Sequence, residues 1–134
     1  MLSIFPFLLS YKLLAPFILR ITLGLIFVNY GWAKINRQKD EKVSMFEKMG
    51  LKPGLTYVWI VAAIEIIVGL LMIVGLWTQV AALIALIILA IALILKKKQP
   101  ESLESSNGLL IICLVIALSL LFTGPGSWAF DMPL

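Results

Sequence analysis

A chain of 134 residues that is 62% hydrophobic and 13% charged lies outside the range of soluble domains, which average about 45–50% apolar and about 25% charged residues. Its mean hydropathy of +1.08 and its four apolar windows, each near the roughly 20 residues a spanning helix needs, mark an all-α integral membrane protein with no room for a soluble module. With no histidine and one cysteine, the chain has no His-ligated haem, no C-x-x-C redox pair and no intrachain disulfide.

The net charge of +4 is distributed in two places. Lys34, Arg37, Lys39, Lys42, Lys48 and Lys52 lie between the first two apolar runs, and Lys96, Lys97 and Lys98 between the last two. In a four-span topology those loops share a side, and the bias reads as the positive-inside signal, with both termini outside (N-out/C-out). Membrane lipid headgroups are the expected anionic partners. Nucleic acid is excluded as a partner, because the basic loops carry none of the motifs of nucleic-acid modules.

Taken in order, residues 1–10 are apolar, interrupted by Pro6, and too short to span, so they read as an interfacial lead-in and not as a cleaved leader. The first span runs over residues 13–34, with Pro16 in its first turn. At 100° per residue Arg20, Gly24, Phe27, Gly31 and Lys34 fall on one face, and the glycines admit a close helix neighbour. Tyr30 and Trp32 suit the inner interface.

Residues 35–54 form the first cytoplasmic loop. Within it Val43, Phe46 and Met49 recur among Lys and Glu, which predicts a short amphipathic helix lying on the membrane surface. The second span covers 55–76, and Ala62, Glu65, Gly69 and Met72 share a face. A Gly-Leu-Trp-Thr break turns the chain into a third, aliphatic span over 78–95, which must be the antiparallel neighbour of the second. A second cytoplasmic loop occupies 96–107, the fourth span runs over 108–123, and Gly124-Pro125-Gly126 ends it, with Trp128 as an interfacial anchor.

Glu65 is the residue around which the rest is organised, since an acid inside a membrane span is by default a functional-site candidate. Arg20, Tyr30 and Glu65 form the candidate intramembrane polar site; Gly24, Gly31 and Gly69 are the close-packing glycines. At 1.5 Å per residue Arg20 lies roughly 9 Å inside the outer surface and Glu65 roughly 12 Å from the inner one. In a core about 30 Å thick that leaves about 9 Å between them in depth. Long side chains bridge such a gap, but Cβ vectors tilt toward each helix's own N-terminus, so Arg20 leans outward and Glu65 inward, toward Asn29 and Tyr30. Whether Glu65 is protonated or paired with Arg20 stays open at this stage. Cys113, within the fourth span, reads as inert core, and no residue set reads as catalytic or metal-binding.

Three segments together resemble the DoxX family of small membrane proteins: Arg20 to Lys34 (RITLGLIFVNYGWAK), Glu65 to Gln79 (EIIVGLLMIVGLWTQ), and Gly124 to Asp131 (GPGSWAFD). The last holds the family's closing pattern of Gly124, Pro125, Gly126, Trp128 and Asp131. Ser127, Gln79 and the Asn107-Gly108 opening of the last span depart from the charged residues common in the family. The resemblance implies one DoxX-like domain over residues 1–134, a four-helix bundle in the cytoplasmic membrane. It also implies a link to redox complexes, since relatives are described as subunits of quinone-linked oxidoreductases and as partners of soluble thiol or superoxide-handling enzymes.

The reading that follows is a non-catalytic membrane subunit or anchor of a redox-linked complex. Its implied partner is a soluble oxidoreductase docked near Phe46, and its implied cofactor is a quinone. A rival from another class is a small proton-coupled exporter that uses Glu65 and self-associates as a homo-oligomer. A third is a lipid-active bundle with no discrete site.

Overall fold

The computed structural model describes residues 4–37, 39–50, 52–98 and 107–126, and every regular element among them is helical. A 3₁₀ turn, Pro6–Tyr11, precedes five α-helices: α1 Leu14–Ile35, α2 Lys39–Lys48, α3 Gly54–Val74, α4 Thr78–Lys98 and α5 Asn107–Thr123. Three of them, α1, α3 and α4, are long and apolar enough to cross a membrane. The fourth, α5, has 17 residues and so spans about 25 Å, a little short of the roughly 30 Å hydrocarbon core.

Local chemistry explains where these helices begin and end. Pro16 lies in the first turn of α1, where no backbone N–H has an intrahelical acceptor to lose. Asp40 and Glu41 open α2 and Lys48 closes it, each sign complementing the helix dipole. At the end of α3 the chain turns left-handed at Gly75, φ +80°, and the N–H groups of Gly75 and Leu76 both donate to the Leu71 carbonyl at 2.8 and 3.0 Å. That double return satisfies a terminal carbonyl that lipid could not. Trp77 follows, also left-handed at φ +52°, and its carbonyl accepts from Ala81 N–H at 2.9 Å to start α4.

The four long apolar helices form a closed ring, α1 beside α3, α3 beside α4, α4 beside α5, and α5 back against α1. Leu23 and Phe27 of α1, Val68 and Met72 of α3, Leu89 of α4, and Leu110 and Leu120 of α5 fill its centre. The third span is less featureless than its aliphatic composition implies. Ala81, Ala82 and Ala85 all point inward with no exposure, into the same core as Cys113 and Ala117 of α5. Small residues on both sides let these two helices approach, which matters in lipid, where association rests on packing and not on the hydrophobic effect.

The short helix expected within residues 35–54 is present as α2, but it does not rest its apolar side on the membrane surface. Met45 and Phe46 are buried against Val58 of α3, with Val43, Met49, Val61 and Leu95 around them, and the Phe46 and Tyr57 rings lie 6.4 Å apart. Even Lys42 is 2% exposed. A Cβ at Gly54 would stand 2.5 Å from the Val43 carbonyl oxygen, so the start of α3 accepts α2 only because glycine occupies that position. The N-terminal turn, by contrast, keeps Phe5, Phe7, Leu8, Leu9 and Tyr11 exposed, which suits a lead-in lying in the interface.

The chain closes where α5 ends. Pro125 and Gly126 are buried, and a Cβ at Gly126 would lie 2.6 Å from the Leu13 carbonyl oxygen and 2.8 Å from Phe17 N. The start of α1 and the end of α5 therefore meet at one end of the bundle. Trp128 and Asp131 of the C-terminal pattern lie outside the described residues.

Gly124 and Gly126 are both left-handed, but nothing lies within 4 Å of a Cβ at Gly124. Gly124→Ala should cost only the left-handed strain, about 1–2 kcal/mol, whereas Gly126→Ala adds a backbone collision that no side chain can relieve. Thermal unfolding in mild detergent should show the larger loss for Gly126→Ala; equal losses would mean that the 124–126 segment is not seated on α1.

Candidate functional site

The site is built on the seam between α1 and α3. A Cβ at Gly24 would be 2.7 Å from the Gly69 oxygen, and one at Gly69 would be 2.7 Å from the Gly24 oxygen. One turn or two further, Gly31 stands against Ala62, whose oxygen would be 2.8 Å from a Gly31 Cβ. These contacts set the antiparallel register of the two helices. They also bring together the three glycines read from sequence as close-packing positions.

That register decides the partner of Glu65. Glu65 is 3% exposed, and Lys34 Nζ donates to both of its carboxylate oxygens, at 2.8 Å to Oε1 and 2.7 Å to Oε2. The Lys34 side chain is 15% exposed against 4% for that of Glu65. The ammonium thus sits at the edge of the bundle and the carboxylate within it. Lys34 Nζ also lies 5.8 Å from the centre of the Tyr30 ring, within the range of a cation–π contact. Lys42, carried in from α2, adds a second positive charge that acts on Glu65 electrostatically.

The Arg20–Glu65 pairing left open by the sequence is therefore replaced by Lys34–Glu65. With Gly24 opposite Gly69, Arg20 is level with Ile73, about 12 Å along the axis from Glu65. Arg20 belongs to the other end of the seam. It is fully buried, its guanidinium carbon 5.2 Å from the centre of the Phe17 ring, near the place where Gly126 meets α1. Of the sequence-derived trio, Tyr30 and Glu65 are neighbours through Lys34, and Arg20 is apart from them.

The two residues that sequence reasoning did not place here, Lys34 and Lys42, differ in how legible they were. Lys34 shares the face of Gly24 and Gly31, and Glu65 leans toward that end, so the signal was present. Lys42 lies among charged residues whose periodicity favours Val43 and Phe46, and only the docking of α2 reveals it. Chemically the arrangement is a clamp. A bidentate ammonium–carboxylate pair ties α1 to α3, and among the described residues no group of three or more His, Cys, Asp or Glu is placed to hold a metal ion.

Comparison with known proteins fits this architecture. Residues 15–97, more than half of the chain, match the DoxX family model. The chain belongs to the DoxX family. The match takes in α1 to α4 and so includes Lys34, Lys42 and Glu65. The chain is also similar to the uncharacterized membrane protein Rv3486 of Mycobacterium tuberculosis, at 28% identity over 84% of this chain and 77% of that protein. No solved structure matches it. This DoxX protein is thus a multi-pass membrane protein.

The clamp should fail asymmetrically. Lys34→Met strands a carboxylate that cannot reach water and should cost about 3–5 kcal/mol. Glu65→Leu should cost less, because the Lys34 stem is long enough to carry its ammonium to the bundle edge. Replacing both, Lys34→Met with Glu65→Leu, should recover most of the loss. Detergent unfolding of the four proteins checks this cycle; additive losses in the double variant would rule the pair out as a coupled unit.

Proposed function

We propose that this DoxX-family protein is a non-catalytic membrane subunit or anchor of a redox-linked complex, seated in the cytoplasmic membrane with its basic end inward. The observation that supports it best is the state of its buried acid. Glu65 is engaged through both oxygens by Lys34, and the lone thiol, Cys113, is buried in the core with no exposure. These groups hold the bundle together. They are not presented to a substrate. The redox link itself rests on the three DoxX-like segments and on what that resemblance implies.

In this reading a soluble oxidoreductase does not dock on Phe46, which faces α3. It meets the outward side of α2, where Asp40, Glu41, Ser44, Glu47 and Lys48 are exposed. Quinone is the cofactor class implied, and the chain would offer it an apolar surface and not a ligand. The proton-coupled exporter ranks second, because its acid would first have to leave a bidentate ammonium partner.

Purification of the tagged protein at native expression level, in mild detergent, tests the proposal. Mass spectrometry should find an oxidoreductase in near-stoichiometric amount, with quinone in the lipid extract. Glu41→Lys with Glu47→Lys should release the enzyme without changing the melting temperature of the bundle. Recovery of the chain with neither enzyme nor quinone would sink the subunit reading, and loss of a proton-driven flux in Glu65→Gln would then favour the exporter.

A further inference from the structure

The side of α1 that faces away from the bundle carries a polar residue, Asn29, that bundle packing does not explain. Ile18, Thr22, Leu25, Asn29 and Trp32 are all exposed, and they recur at alternating steps of four and three. Arg20, Leu23, Phe27 and Gly31 are buried on the opposite side. The inward Arg20, Gly24, Phe27, Gly31 and Lys34 follow the same 4-3-4-3 spacing, which is that of any single helix face and one that a left-handed helix pair uses as its seam. Thr22 and Asn29 occupy one heptad position, and Ile18, Leu25 and Trp32, exposed by 58%, 57% and 62%, occupy the other.

Asn29 makes this stripe more than an apolar face. It lies about 9 Å from the end of α1, within the span, and its carboxamide hydrogen-bonds to none of the described residues. Other polar side chains on the exposed sides of the spans are differently placed. Thr22 Oγ1 donates to the Ile18 carbonyl at 2.8 Å, and Gln79 Nε2 on α4 donates to the Leu121 carbonyl at 3.0 Å. The outward residues of α4, Val80, Leu83, Ile87 and Ile91, are wholly apolar. Lipid tails offer an amide neither donor nor acceptor, so Asn29 needs a protein neighbour at its own depth.

We propose that this α1 stripe pairs with the same stripe on a second copy of the chain, forming a parallel two-fold dimer with Asn29 hydrogen-bonded to its counterpart across the axis. Polar complementarity selects that occupant. A carboxamide is both donor and acceptor, so two related by a two-fold axis satisfy each other, as a single buried Asn does in setting the register of coiled coils. A second copy also brings the same heptad at the same depth, and copies inserted in one orientation are parallel without further constraint. The dimer does not depend on the proposed redox partner, and it leaves the outward side of α2 uncovered.

Single-cysteine variants in a Cys113→Ala background test the interface by oxidative crosslinking in native membranes. Ile18→Cys, Leu25→Cys and Trp32→Cys should each give a disulfide-linked dimer, while Ile87→Cys on α4 and Val115→Cys on α5 should not. In lipid vesicles, energy transfer between labelled chains should show Asn29→Leu raising the dimer dissociation constant about 3–20-fold. The position is lipid-facing and the substitution leaves the bundle interior untouched. Crosslinking as efficient at Ile87→Cys, a monomer at every protein-to-lipid ratio, crosslinks to a different protein, or an unchanged dissociation constant in Asn29→Leu would each overturn the proposal.

Discussion

The backbone contact between α1 and α3 is the constraint on which the other features depend. At Gly24 and Gly69 there is no space for even a methyl group, because each position faces the other helix's carbonyl. In a bilayer two helices gain little from hiding apolar surface, and their association rests on close packing and polar contacts. Glycine provides the first directly. By bringing the axes together and fixing their offset, it also allows the second. Lys34 and Glu65 are 31 positions apart in sequence, yet both carboxylate oxygens lie within 2.8 Å of one ammonium. A change of one helical turn in that offset, about 5.4 Å, would leave the carboxylate facing aliphatic side chains.

Much of this was legible in the sequence, because it concerns periodicity within single helices. The inward face of α1 through Arg20, Gly24, Phe27 and Gly31, and that of α3 through Ala62, Glu65, Gly69 and Met72, follow from 100° per residue and match the buried positions. What one helix cannot tell is its offset against another. Depth measured separately on each span put Arg20 and Glu65 within bridging distance. The offset that matters is set by which glycine meets which backbone, a tertiary property that α1 leaves ambiguous by presenting both Gly24 and Gly31. The same limit applies to α2. Its apolar residues fit a helix lying on lipid as well as one docked on protein, and the deciding residue is Gly54, outside the helix, where the missing side chain makes room for Val43.

Closure of the ring adds a second kind of information. The DoxX match ends at residue 97, before α5 and the Gly-Pro-Gly turn, yet the turn at Gly126 packs on the start of α1. It brings Pro125 and Gly126 to the Arg20 end of the seam, just as α2 brings Lys42 to the Glu65 end. The α1–α3 seam is thus capped at both ends by segments that are not spans. A cation lies buried beneath each cap, Arg20 at one and Lys42 at the other. In lipid a charge is tolerated where protein surrounds it, so the caps and the cations require one another.

Helix α1 therefore carries two specifications on opposite sides. Its inward side packs on α3, with small residues where the two backbones approach. Its outward side is exposed and carries an amide about 9 Å from the helix end. A lipid-facing surface needs only to be apolar, as the outward side of α4 is from Val80 to Ile91, and nothing in bundle packing calls for Asn29. Where the interior is already satisfied, an ordered polar residue on the outside points to a further layer of assembly. Because α1 is also the helix held by the Lys34–Glu65 clamp, its outward stripe is presented at a fixed angle to the rest of the bundle.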